Sequence, residues 1–112
     1  MTAGQWSPPV DIFETAESIV IRVEVPGIEQ HALDVEFKDN SLIVQGERTF
    51  EDVAGRDYHR RERAYGTFRR VFTLPMMVRQ EQIQAVLKHG VLEITLLKEE
   101  RAKPKRVQVE VR

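Results

Sequence analysis

The chain has 112 residues, which suits one domain with one core. It has no cysteine, so disulfides and thiolate metal sites are excluded. Its 17 basic and 18 acidic residues leave a formal charge of −1, which favours neither nucleic acid nor an anionic membrane as a partner.

Met1 to Ser7 carry neither a basic start nor an apolar run, so no signal peptide is visible and a cytoplasmic location is expected. No aliphatic run is long enough to span a bilayer. Beyond Pro8-Pro9 the dominant period is two, the period of a strand. Val10 to Glu14 reads as a short strand. Ile19, Ile21, Val23 and Val25 then share one face, with Arg22 and Glu24 on the other, until Pro26-Gly27 stops the strand. Leu33, Val35 and Phe37 alternate with Asp34, Glu36 and Lys38. Asp39-Asn40-Ser41 is a turn, and Leu42 to Glu47 is the return strand. Phe68, Phe72 and Leu74 alternate in a further strand that Pro75 closes. Val78 to Gln84 offers at most a turn of helix. Ile83, Ala85 and Leu87 lead to a turn at Lys88-His89-Gly90, and Val91 to Leu97 completes that hairpin. Many short strands with frequent turn signals predict an all-β, antiparallel, immunoglobulin-like sandwich.

Two segments do not fit a plain sandwich. Residues 48–65 form a long connection whose second half, Asp57 to Arg63, is polar on both faces. Such a strand buries no face, and it suits an edge, including the edge of another subunit. The other segment is the tail. Charged residues around Pro104 lead into Val107-Gln108-Val109-Glu110-Val111, a clean alternation. A row of three valines predicts docking, on the chain's own sheet or on a neighbour's. The expected organisation is a short N-terminal remnant (1–7), a sandwich (8–98) containing a dimerisation loop (48–65), and a C-terminal extension (99–112).

These residues resemble the α-crystallin, or small heat-shock protein, family. The resemblance is carried by Pro9-Val10-Asp11-Ile12, Val23-Glu24-Val25-Pro26-Gly27-Ile28, and Leu42-Ile43-Val44-Gln45-Gly46-Glu47. Tyr65-Gly66-Thr67-Phe68-Arg69-Arg70-Val71-Phe72-Thr73-Leu74-Pro75 and Ala85 to Leu92 continue it in the right order and spacing. It implies an ATP-independent holdase that captures unfolding client proteins, with no cofactor and no metal. It further implies a homodimer built by exchange of a strand from residues 48–65. Tyr58, Arg60, Glu62 and Arg70 are then the expected dimer-interface residues. The family's C-terminal I-x-I/V motif matches Val107-Gln108-Val109, with Val109-Glu110-Val111 as a second register. These valines (Val107, Val109, Val111) are expected to anchor larger oligomers in a groove lined by Leu33, Val35, Phe37, Ile83, Ala85 and Leu87. The chain departs from the family at Leu96-Leu97-Lys98, where L-P-K is usual, and at His89, where Asn is usual. Only Met1 to Ser7 stand where the family carries an apolar arm.

Arg70 shares the apolar face of Phe68, Phe72 and Leu74 and so needs a carboxylate or carbonyl partner. Two readings stand: an intersubunit ion pair, with Glu47, Glu62 or Asp57 as candidates, or an edge arginine whose head reaches water. The basic run His59 to Arg63 is balanced by nearby acids, so no nucleic acid is expected. His31, His59 and His89 lack ligand spacing. No nucleophile elbow or phosphate loop occurs, so the chain is not read as an enzyme. The alternative function is a p23-like co-chaperone or scaffold that binds one folded partner.

Overall fold

Alternation decides the architecture, because each strand has one apolar face that must be covered. The computed structural model describes residues 5–102 and 104–112, and among them there is no α-helix. Seven strands form: β1 (Val10–Glu14), β2 (Ser18–Glu24), β3 (Leu33–Lys38), β4 (Ser41–Arg48), β5 (Gly66–Thr73), β6 (Gln84–Lys88) and β7 (Val91–Leu97). They make two antiparallel sheets, one in the order β1-β2-β7-β6 and one in the order β3-β4-β5. Ile21, Val23 and Val25 from one sheet meet Leu42 and Val44 from the other, all fully buried, with Ile94 and Leu96 beside them.

The hairpin turns match their sequences. Asp39 (φ 51°) and Asn40 (φ 56°) form the two-residue link between β3 and β4, a geometry with two positive φ angles that suits the strand twist. The Asn40 side chain donates to the carbonyls of Leu74 and Met76, each at 3.1 Å, so this turn also holds the exit of β5. His89 (φ 52°) and Gly90 (φ 76°) link β6 to β7 in the same way. A Cβ at Gly90 would lie 3.1 Å from the Cα of Pro26, so a side chain there would be crowded as well as strained by the positive φ.

The structure corrects several boundaries. β4 runs through Arg48, which is buried, so the long connection is residues 49–65 rather than 48–65. That connection holds no strand: Asp57 to Arg63 is irregular and almost wholly exposed, because a segment polar on both faces gains nothing by packing on its own sheet. The turn of helix expected within Val78 to Gln84 is a single 3₁₀ turn at Gln80–Gln82. Of the expected remnant 1–7, Met1 to Gly4 lie outside the described residues, while Gln5 bridges to Thr67 in parallel with β5 and Pro8 is fully buried. Lys98, in contrast to the exposed Arg101, Lys105 and Arg106, is sealed at the end of the sandwich. Its Nζ donates to Thr15 O at 2.8 Å and pairs with Glu14, and its amide donates to Glu17 O.

Candidate functional site

The sandwich has two open sides, and the N-terminal segment shows how they are arranged. Trp6 N donates to Thr67 O, the Trp6 indole N–H donates to Gly66 O at 2.9 Å, and Arg70 Nη1 donates to Pro8 O at 2.8 Å. The chain entering β1 therefore lies along β5, which sets the β1 edge over the β5 edge. The remaining edges, β3 and β6, flank the opposite side. Among the described residues β1, β3 and β6 each pair with one neighbouring strand and keep a row of backbone donors and acceptors free for an added strand, whereas the outer edge of β5 is partly taken up by Gln5 and Trp6.

The β3–β6 side is where the sequence places a groove. Leu33, Val35 and Phe37 face inward from β3 but are only half-buried, as are Ile83 and Leu87 on the β6 side. Ala85 is the informative member. It pairs with Ile94, which is fully buried on the same inner face, yet Ala85 itself is exposed. An inward-facing residue that stays exposed marks a place where the two sheets are not closed over the core. Leu33, Val35, Phe37, Ile83 and Leu87 thus pack half-buried against the core, and Ala85 is more open than an alternation pattern predicts.

The tail valines touch neither this groove nor any other part of their sheet. Val107 is 77%, Val109 86% and Val111 97% exposed, and no strand forms there. Docking on the chain's own sheet, one of the two alternatives posed by the sequence, is not what the structure has. The molecule measures 82 × 25 × 20 Å, although its longest strand of eight residues spans only about 27 Å, so the tail extends well clear of the sandwich.

On the other side, Arg70 is half-buried on the apolar face, between Phe68 and Phe72 in sequence. Besides Pro8 O it donates to Ser7 Oγ at 3.2 Å, and its guanidinium lies 5.4 Å from the Phe72 ring centre. It has a carbonyl partner and, among the described residues, no ion pair within its own chain. Glu47 is ruled out as an intrachain partner by alternation, since Arg48 and Gly46 face inward and Glu47 faces out. Glu62 is engaged by Arg60 at 3.1 Å, in a pair whose side chains are largely in water. Tyr58 leans on Phe50 with ring centres 5.4 Å apart. The four expected interface residues therefore fall into two groups in the single chain: Arg70 at the β1–β5 edge, and Tyr58, Arg60 and Glu62 in the exposed connection.

Sequence reasoning missed Arg48. It ends an inward-facing row, Leu42, Val44, Gly46, Arg48, at a position that an apolar residue would be expected to fill. Its Nε and Nη2 both donate to Ala64 O, and Nη1 donates to Pro26 O at 2.8 Å. The guanidinium stacks 4.4 Å from the Trp6 ring centre and 5.6 Å from that of Tyr65. Burial, and then the neighbouring Arg63, pull its pKa below the usual arginine range, while Tyr65 acts in the opposite sense. One cation thus ties both ends of the long connection to the Pro26-Gly27 turn. The signal was in the alternation itself, which carries Arg48 into the core.

Among the described residues no group of His, Asp and Glu could hold a metal, and no helix is long and apolar enough to cross a membrane. A model of the Hsp20/alpha crystallin family matches residues 11–111. The 17.8 kDa class I heat shock protein of Arabidopsis thaliana is 41% identical over 106 residues, covering 93% of this chain and 68% of that relative. Heat shock protein 16.0 from Schizosaccharomyces pombe has the same fold at a TM-score of 0.83 and 26% identity, covering 96% of this chain and 99% of that one. A small heat-shock protein from Xylella fastidiosa, described as having a distinct high order structure, is similar at a TM-score of 0.79 and 36% identity over 96% of this chain and 100% of that one.

Proposed function

This chain belongs to the Hsp20/alpha crystallin family, and from that premise we propose that it is an ATP-independent holdase, a binding protein that covers unfolding polypeptides before they aggregate. The observation that carries this reading is the side of the sandwich between β3 and β6, where free strand edges flank half-buried apolar side chains and an open Ala85. Unfolding proteins expose the complementary features, extended segments with unpaired backbone groups and apolar side chains. Such a segment can add to β3 or β6 by backbone hydrogen bonds while its alternate side chains enter the groove.

The tail is the second occupant of that groove in this reading. Val107 and Val109 are exposed and form no strand in the single chain, so they are available to another subunit. Burying two valines contributes roughly 3–5 kcal/mol before the cost of ordering the tail, so docking is weak and reversible. A tail that binds weakly yields its place to a client when clients become abundant.

Pairing of subunits occurs on the β1 side. Ile12 and Phe13, on opposite faces of β1, are 49% and 39% exposed, and β1 bonds only to β2. The connection 49–65 supplies the strand that covers this edge on a partner. Tyr58, Arg60 and Glu62 come to the interface with it, and Arg70 stands ready beside Pro8 at the start of β1. Homodimers made this way join into larger assemblies through the tails.

The test is a heated model client, followed by light scattering without nucleotide. Suppression at near-stoichiometric ratios, for several unrelated clients, is expected. No suppression of any client, together with one tight folded partner in pull-downs, would instead support a p23-like scaffold.

A further inference from the structure

The direction in which the tail lies in the groove is legible in the charges of this chain; the inference rests on the tail-in-groove reading above. β3 turns Val35 and Phe37 inward and Asp34, Glu36 and Lys38 outward. Its outward row therefore reads acid, acid, base along the chain. In the tail, the residues that alternate with Val107 and Val109 are Arg106, Gln108 and Glu110, a row that reads base, neutral, acid. When the valines enter the groove, this second row faces out, beside the first.

Seat Gln108 beside Glu36, so that the two valines stand beside Val35 and Phe37. If the tail runs parallel to β3, Arg106 comes beside Asp34 and Glu110 beside Lys38, and both pairs attract. Turn the tail end for end about the same pivot, and Arg106 meets Lys38 while Glu110 meets Asp34, so both pairs repel. The apolar fit cannot distinguish the two, because valine-glutamine-valine reads the same in both directions. Opposed charges on neighbouring strands each shift an equilibrium by roughly 1.4- to 5-fold, and like charges shift it as far the other way. At this seat two pairs reversing sign separate the directions by at least about fourfold; with the valines beside Leu33 and Val35 instead, the reversed tail gains one attractive pair, Arg106 with Glu36, against the two gained here.

The free chain leaves these groups available. Among the described residues Glu110 pairs with its near neighbour Arg112, at 3.0 Å and largely in water, and Asp34 accepts a hydrogen bond from Gln45 at 3.1 Å. Neither contact is buried, so exchange for the new partners removes no desolvated charge pair. We infer that the tail of one subunit lies parallel to β3 of another, its direction set by Arg106 against Asp34 and Glu110 against Lys38.

The full chain is tested in three variants, with assembly followed by light scattering over a concentration series. Glu110→Lys is expected to raise the concentration for half-assembly by roughly two- to thirtyfold, and adding Lys38→Glu to it is expected to restore the parent value. A tail lying the other way puts residue 110 beside Asp34, so Glu110→Lys would then tighten assembly. Tightening, no change, or failure of the second substitution to restore would each overturn the inference. The third variant, Val107→Glu with Val109→Glu, separates this from the underlying reading: if it leaves the assembled mass unchanged, the tail does not dock at all. Because the chain has no cysteine, Glu36→Cys with Gln108→Cys gives a clean further readout. Disulfides between subunits are expected; this pair is the pivot of both directions and so tests the seat on another subunit, and disulfides confined within one chain would overturn the proposal.

Discussion

Replacing Arg48 by alanine probes the joint that closes the long connection. The guanidinium is buried and gives three hydrogen bonds to two carbonyls, Ala64 O and Pro26 O. Alanine leaves both acceptors at the end of the core without their donor, at about 1–2 kcal/mol each. It also removes the arginine stem and its stacking on Trp6, which adds about 1 kcal/mol. The offset is that the charged group no longer has to be desolvated, so a net loss of about 3 kcal/mol is expected. For a domain of this size 1 kcal/mol corresponds to about 4 °C, so Tm should fall by about 12 °C. Trp6, the single tryptophan, touches the site, and its fluorescence reports the same event locally. Arg48→Lys keeps the charge but cannot serve both carbonyls with a planar fork, and it should recover less than half of the loss. A fall of less than about 1 kcal/mol for Arg48→Ala, by thermal or denaturant unfolding, would refute the argument that this cation clamps the connection.

Gly46→Ala should be nearly as damaging, because its Cβ would lie 2.7 Å from Phe68 Cε2 and 2.8 Å from the Ala32 carbonyl oxygen, which is backbone and cannot step aside; a loss of about 2 kcal/mol in denaturant unfolding is expected. His89→Asn should stabilise by about 0.5 kcal/mol, raising Tm by about 2 °C, since residue 89 holds a φ of 52° that asparagine tolerates better. Val107→Glu with Val109→Glu should leave Tm unchanged at concentrations where the parent's tails are undocked, because neither side chain packs on its own sandwich, while native mass measurements at higher concentration show smaller species.

Much of the fold was legible because its cause is local. A strand with one apolar face needs no knowledge of its neighbours to be recognised, so β2, β3 and β5 were readable from alternation, while β1, with Ile12 and Phe13 on opposite faces, was read as the short stretch after Pro8-Pro9. The two hairpin turns were readable because Asp39-Asn40 and His89-Gly90 supply the residues that positive φ angles favour. The failures share one cause, a dependence on what lies across space. Arg48 looks like a loop cation until Ala64 and Pro26 are placed around it. Asp57 to Arg63 and the tail valines carry strand patterns that their own chain does not complete.

The sequence by itself determined the alternating faces, the turns and hence a sandwich of short antiparallel strands, because side-chain period and backbone dihedral preference act between near neighbours. Tertiary structure alone decided which strands became edges, which buried polar group found a carbonyl, and that the valine row found no seat at home. Those outcomes depend on which surfaces meet, and a pattern along one strand holds no information about the distance to the next sheet.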